Sequence, residues 1–91
     1  MLEKIYQIIQ DRRNNPKEDS YTSYLHREGI DKILKKLGEE SSEVIIAAKN
    51  ADAQRMVEEL ADLHFHLLVL MEARGLRLEQ VNAELEKRHR G

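Results

Sequence analysis

Cysteine and tryptophan are absent from this chain, proline occurs once and glycine four times in 91 residues. Without cysteine there is no disulfide staple and no thiolate, either as nucleophile or as metal ligand. Aromatic residues make up 4%, too few to furnish platforms on which nucleic-acid bases stack. A surplus of one charge is missing too. Lys and Arg number 15 against 17 Asp and Glu, a formal net charge of −2, without the basic excess of a nucleic-acid binder. No apolar run approaches the ~20 residues of a membrane span. After Lys4 the apolar stretch is broken by Gln7 and Gln10, which argues against a secretory signal. The expectation is a cytoplasmic protein with neither nucleic acid nor membrane as partner.

Strand-forming runs of β-branched and aromatic residues are also nearly absent, which leaves helices. The length predicts one domain, residues 1–91, with a core small enough that association with a second copy is the expected source of extra stability. The apolar spacing of Leu2, Ile5, Tyr6 and Ile9 predicts a helix over 2–13, stopped by Asn14, Asn15 and Pro16. Residues 14–25, NNPKEDSYTSYL, read as a polar loop, long enough to be functional. A second helix is predicted from near His26 or Asp31 to Lys49, with Ile30, Ile33, Leu37, Val44 and Ala47 on its apolar side and Gly38 in its interior, where close packing by a neighbour is one reason for a glycine. Asn50-Ala51-Asp52 reads as a tight turn, with Asp52 capping a third helix over 53–74 that ends at Gly75. Its stretch from Leu63 to Met71 is apolar nearly all round, so it is expected to be buried on every face. A fourth helix is predicted over 78–88, with Leu78, Val81 and Leu85 inward. The fold class is therefore all-α: a bundle of four main helices built on an antiparallel helix hairpin and completed by dimerisation.

Two acidic motifs carry the chemistry. GEESSEV places Glu39, Glu40 and Glu43 on the second helix, and VEELADL places Glu58, Glu59 and Asp62 on the third. A spacing of three puts Glu40 beside Glu43, and Glu59 beside Asp62. Glu40 falls within the apolar stripe of Ile33, Leu37, Val44 and Ala47, where an uncompensated carboxylate is costly. Folding the hairpin about Ala51 brings Glu43 level with Glu59, and Glu40 level with Asp62, about 12 and 16 Å from the apex at 1.5 Å rise per residue. Four carboxylates so placed repel one another unless a cation sits between them. All-oxygen ligands suit Mg2+, above all where phosphates bind. The chemistry implied is hydrolysis of a phosphoanhydride. A single E-x-x-E pair is ordinary helix surface; matched heights and the seam position of Glu40 set this pair of motifs apart.

The pattern Glu40-Ser-Ser-Glu43 followed by Glu59-Leu-Ala-Asp62 resembles the metal-binding signature of the all-α NTP pyrophosphohydrolase (MazG-like) superfamily. SYTSYL at 20–25, GIDKILKKLGEESSEVIIAAKN at 29–50, VEELADLHFHLLVLM at 57–71 and ELEKRH at 84–89 look like the phosphoribosyl-ATP pyrophosphatase family of histidine biosynthesis. That resemblance implies Mg2+-dependent hydrolysis of phosphoribosyl-ATP to phosphoribosyl-AMP and pyrophosphate, the second step of the pathway. It implies a homodimer, and at this length the form not fused to the next enzyme. Two alternatives stay open: a housecleaning (d)NTP pyrophosphohydrolase of the same superfamily, and a non-catalytic helical dimerisation module.

Glu40, Glu43, Glu59 and Asp62 are the expected metal ligands and catalytic carboxylates, one of them able to hold the attacking water instead. Glu39 and Glu58 are either outer neighbours of that group or solvated charge. Lys36 lies on the side of Glu40, facing phosphates or pairing with Glu40 and Glu43. Lys49 and Arg55 flank the hairpin apex as candidate phosphate contacts. Ser20, Tyr21, Thr22 and Tyr24 bring hydroxyls suited to phosphate or ribose, a substrate role that the resemblance favours over ordinary turn chemistry. His66 reads as a satisfied core residue, His64 as facing a partner or solvent, and Arg88 and His89 as tail residues.

Overall fold

A computed structural model describes residues 1–89, which form five helices and no strand: α1 (Leu2–Asn14), α2 (Tyr21–Glu28), α3 (Ile30–Lys49), α4 (Ala53–Ala73) and α5 (Leu78–Arg88). The all-α expectation holds, but there are five helices where four main ones were expected, because residues 21–25 of the expected loop belong to α2. Its polar sequence serves a cap. Ser20 Oγ accepts the backbone N–H of Ser23 at 3.1 Å, and Ser23 Oγ accepts that of Lys17 at 3.0 Å. Eight residues are too few for a helix in isolation. This one is held by burial of Thr22, Ser23 and Leu25 against its neighbours.

Gly29 separates α2 from α3, at φ 90° and ψ −174°, a backbone region that glycine alone adopts without strain. An added Cβ there meets nothing within 4 Å, so the cost of replacement is conformational only. Gly29→Ala is expected to lower unfolding stability by about 1–3 kcal/mol, read as a lower urea midpoint with an unchanged m-value.

The α3–α4 hairpin is the largest helix pairing. Its turn is as the sequence predicts: Ala51 takes φ 54°, and the Asp52 carboxylate accepts the backbone N–H of Arg55 at 3.1 Å. The core gathers Ile9 from α1, Leu25 from α2, Ile33 from α3, and Leu68 and Val69 from α4. Arg13 clamps the rear of α4 by donating from Nε to both oxygens of Glu72, at 2.9 and 3.0 Å.

Two packing expectations are corrected. An added Cβ at Gly38 meets nothing within 4 Å, so no neighbour in this chain packs close there. In α5 only Leu78 joins the core; Val81 and Leu85 stay exposed, since this helix lies beside the bundle rather than within it. In α4 the chain covers one side only. Leu68 and Val69 are buried, but Leu67 is 39% exposed, and Val57 and Leu60 on the same stripe are open as well.

Candidate metal centre

The α3–α4 hairpin brings three of the four expected carboxylates near one another. Glu40 from α3 and Glu59 and Asp62 from α4 each offer a carboxylate oxygen within 4.8 Å of the others. The Glu40 and Glu59 side chains are only 12% and 14% exposed. Glu40 is thus largely withdrawn from water, where solvent screens its charge poorly. Water loss raises the Glu59 carboxyl above its usual range. Arg55 opposes that rise, and the charges of Glu43, Asp62 and Glu40 add to it. The group favours a proton, or any cation in its place.

The fourth expected member is displaced. The guanidinium of Arg55 lies 3.2 Å from Glu43 Oε2 and, through Nε, 3.5 Å from Glu59 Oε1. The converging group is therefore three carboxylates, with Glu43 drawn aside by a salt bridge. Arg55, a candidate phosphate contact from its place at the hairpin apex, is thus paired with carboxylates, and its i, i+4 relation to Glu59 accounts for one of the two pairings. Lys36 Nζ lies 3.2 Å from Glu39 and 3.8 Å from Glu40. It holds its proton more tightly than usual, first through the hydrogen bond to Glu39; burial opposes this, and Tyr21, Glu39 and Glu40 reinforce it. Glu39 is thereby occupied with Lys36, and Glu58 accepts from Gln54 at 3.1 Å. Lys49 is exposed in the last turn of α3, away from the converging oxygens. Arg88 pairs with Glu84 at 2.8 Å, within α5.

The hydroxyl residues separate as well. Ser20 Oγ accepts at the α2 cap and keeps its own proton, and the Thr22 side chain is buried. Tyr21 lies nearer the surface. It is 44% exposed, and its hydroxyl lies 3.0 Å from Nε2 of His66. His66 is buried as expected, with Nδ1 2.7 Å from the Asp62 carbonyl. The sequence reading missed this link from α2 to a carboxylate-bearing turn of α4. Its only trace was the four-residue spacing of Asp62 and His66. Burial raises the Tyr21 phenol; Lys36 opposes the rise, and Glu40, Tyr24 and Asp62 strengthen it. Tyr21 therefore stands within the field of the same site.

Comparison with known proteins places this geometry. The model of the family described as Phosphoribosyl-ATP pyrophosphohydrolase matches residues 2–89. A protein of Clostridium botulinum named Phosphoribosyl-ATP pyrophosphatase is 51% identical over 88 residues, covering 97% of this chain and 80% of its own length. One of the same name from Methanocella arvoryzae is 50% identical over 92 aligned residues, covering 99% and 97%. The Histidine biosynthesis bifunctional protein HisIE of Oceanobacillus iheyensis is 57% identical over 81 residues, which are 89% of this chain and 38% of that protein. A match of this extent, over a chain whose two acidic helices converge in register, makes it a member of the phosphoribosyl-ATP pyrophosphohydrolase family.

Proposed function

We propose that this chain is a Mg2+-dependent phosphoribosyl-ATP pyrophosphohydrolase of histidine biosynthesis, acting in the cytoplasm as a homodimer. The substrate reacts with one water; the phosphoanhydride between its α and β phosphorus is cleaved, giving phosphoribosyl-AMP and pyrophosphate. The observation that carries the reading is the convergence of Glu40, Glu59 and Asp62 from two helices on one oxygen-lined point. An all-carboxylate donor set fits Mg2+ and is poorly suited to softer metals. These three residues would hold the ion, with Glu43 a salt bridge away as the fourth donor. When bound, Mg2+ neutralises charge on the phosphate chain and makes a bound water more acidic. A carboxylate of the group takes the proton of the attacking water. Lys36 and Arg55 add positive charge on either flank for the triphosphate.

The dimer rests on a separate observation. Ile45, Ile46, Val57, Leu60 and Leu67 of the hairpin are large apolar residues left exposed, and exposed apolar surface is what an interface removes from water. A second copy brings a like surface to cover it.

Pyrophosphate release with phosphoribosyl-ATP and with the common dNTPs, each with and without Mg2+, tests the activity. The expected result is Mg2+-dependent turnover of phosphoribosyl-ATP and little of the dNTPs. Robust dNTP hydrolysis with none of phosphoribosyl-ATP overturns the assignment in favour of a housecleaning enzyme. No hydrolysis of either, with or without Mg2+, leaves a helical interaction module.

A further inference from the structure

We infer that His66 is a positioning residue, which fixes the Tyr21 hydroxyl as a hydrogen-bond acceptor for a ribose hydroxyl of the nucleotide. The inference rests on the proposed activity and adds a specificity device to it.

The direction of the hydrogen bonds carries the argument. Nδ1 of His66 lies 2.7 Å from the backbone carbonyl of Asp62. A carbonyl only accepts, so Nδ1 bears the proton. In the neutral ring Nε2 is then bare, and the Tyr21 hydroxyl 3.0 Å away donates to it. Having spent its proton, that hydroxyl offers only lone pairs to a ligand. It cannot donate to a phosphate oxygen, but it can receive a hydroxyl.

The imidazole is well fixed for this task. His66 is 3% exposed. Its ring meets Tyr21 edge-on with centroids 5.8 Å apart, and Phe65 edge-on at 5.2 Å. Tyr21 itself is stacked on Tyr24 at 6.0 Å and remains 44% exposed. One end of the chain of bonds is the backbone of a metal-ligand candidate, and the other is the hydroxyl of a half-exposed tyrosine. His66 lies one helical turn beyond Asp62, a rise of about 5.4–6 Å. With the triphosphate at the carboxylates, the ribose is the next unit of the nucleotide, at about that remove.

The test compares phosphoribosyl-ATP with its 2′-deoxy and 3′-deoxy forms, altered on the ribose that bears the triphosphate. Wild type, Tyr21→Phe, His66→Leu, His66→Gln and the Tyr21→Phe/His66→Leu double variant are assayed. Wild-type enzyme should prefer the intact ribose over one deoxy form by about tenfold or more in kcat/KM. Tyr21→Phe and His66→Leu should each collapse that preference toward unity, mainly through KM for the intact substrate. The double variant should be no worse than Tyr21→Phe, since both changes remove one interaction. His66→Gln, which can still accept, should recover part of the preference. Wild-type preference kept in Tyr21→Phe or in His66→Leu overturns the inference. So does a change confined to the Mg2+ concentration dependence, which would make metal-bound water the donor. A wild-type enzyme that fails to hydrolyse phosphoribosyl-ATP at all refutes the proposed function instead.

Discussion

Replacing Asp62 with asparagine is expected to reduce kcat by about a thousandfold or more while leaving the metal-free protein at least as stable as wild type. The first part follows from electrostatics. Asp62 is one of three carboxylates whose oxygens converge within 4.8 Å. A carboxylate acts on a phosphate chain through the cation it holds, and losing one group that stabilises the charge of the transition state costs on the order of 10²–10³ in rate. The stability part has the opposite sign. The Glu59 carboxyl is held above its usual range by water loss, and Asp62 is among the charges that add to this despite Arg55. A carboxylate with a raised folded-state pKa contributes stability that is full at pH below its unfolded value, and is lost as pH climbs through the raised one. Above that raised range the repulsion is present, so removing the Asp62 charge relieves it. Magnesium should reverse the ranking. At a hundred times its Kd, an ion bound only by the folded wild type adds about 2.7 kcal/mol, which raises Tm by about 10 °C or more for a domain of this size. Asp62→Asn should lose most of that rise. Thermal melts with and without Mg2+, together with pyrophosphate release, check both halves. If Asp62→Asn lowers the metal-free Tm and retains wild-type turnover, the cluster is a solvated acidic face. Loss of function with unchanged or gained stability is the behaviour of a site maintained against its own repulsion.

That site was legible in the sequence because its geometry follows from one turn. Asn50, Ala51 and Asp52 fix the apex, and a constant helical rise carries the register outward to Glu40 and Asp62. Side-chain direction follows from periodicity for short carboxylates. It does not follow for Arg55, whose long side chain reaches across the hairpin to Glu43; no count along one helix shows that. α2 escaped for a related reason. Ser20, Thr22 and Ser23 look like turn chemistry, and the helix exists because its neighbours bury it. The cap from Ser20 and the break at Gly29 were both written in the sequence, but each is weak without the packing that joins them. His66 was read correctly as a buried, satisfied residue; its partner Tyr21 sits 45 positions away, beyond the reach of local pattern.

Ile45→Asp is expected to split the proposed dimer while barely changing the fold of a single chain. Ile45 is 67% exposed, and a substitution at so open a position ordinarily costs within about 0.5 kcal/mol. Neither neighbour in the helix ladder constrains it: Ser41 turns back to the Leu37 carbonyl, and Lys49 is exposed. If a second copy covers this face, the arithmetic changes. Burying an isoleucine is worth about 1.5–3 kcal/mol, and an unpaired carboxylate in its place adds a desolvation cost. A two-fold axis makes every interface substitution count twice. The dissociation constant should then rise by about a thousandfold or more, at 1.4 kcal/mol per tenfold. Sedimentation equilibrium over a range of concentrations separates the cases: wild type at twice the chain mass, the variant at the mass of one chain, and both with the same helical circular dichroism per residue. Wild-type protein sedimenting as a single chain would remove the dimer from the proposal and leave the carboxylate site standing. Turnover of the variant then adds what stability cannot. Activity lost in step with dissociation means that each site depends on the neighbouring copy, and activity kept by the single chain means that one hairpin with its α2 suffices.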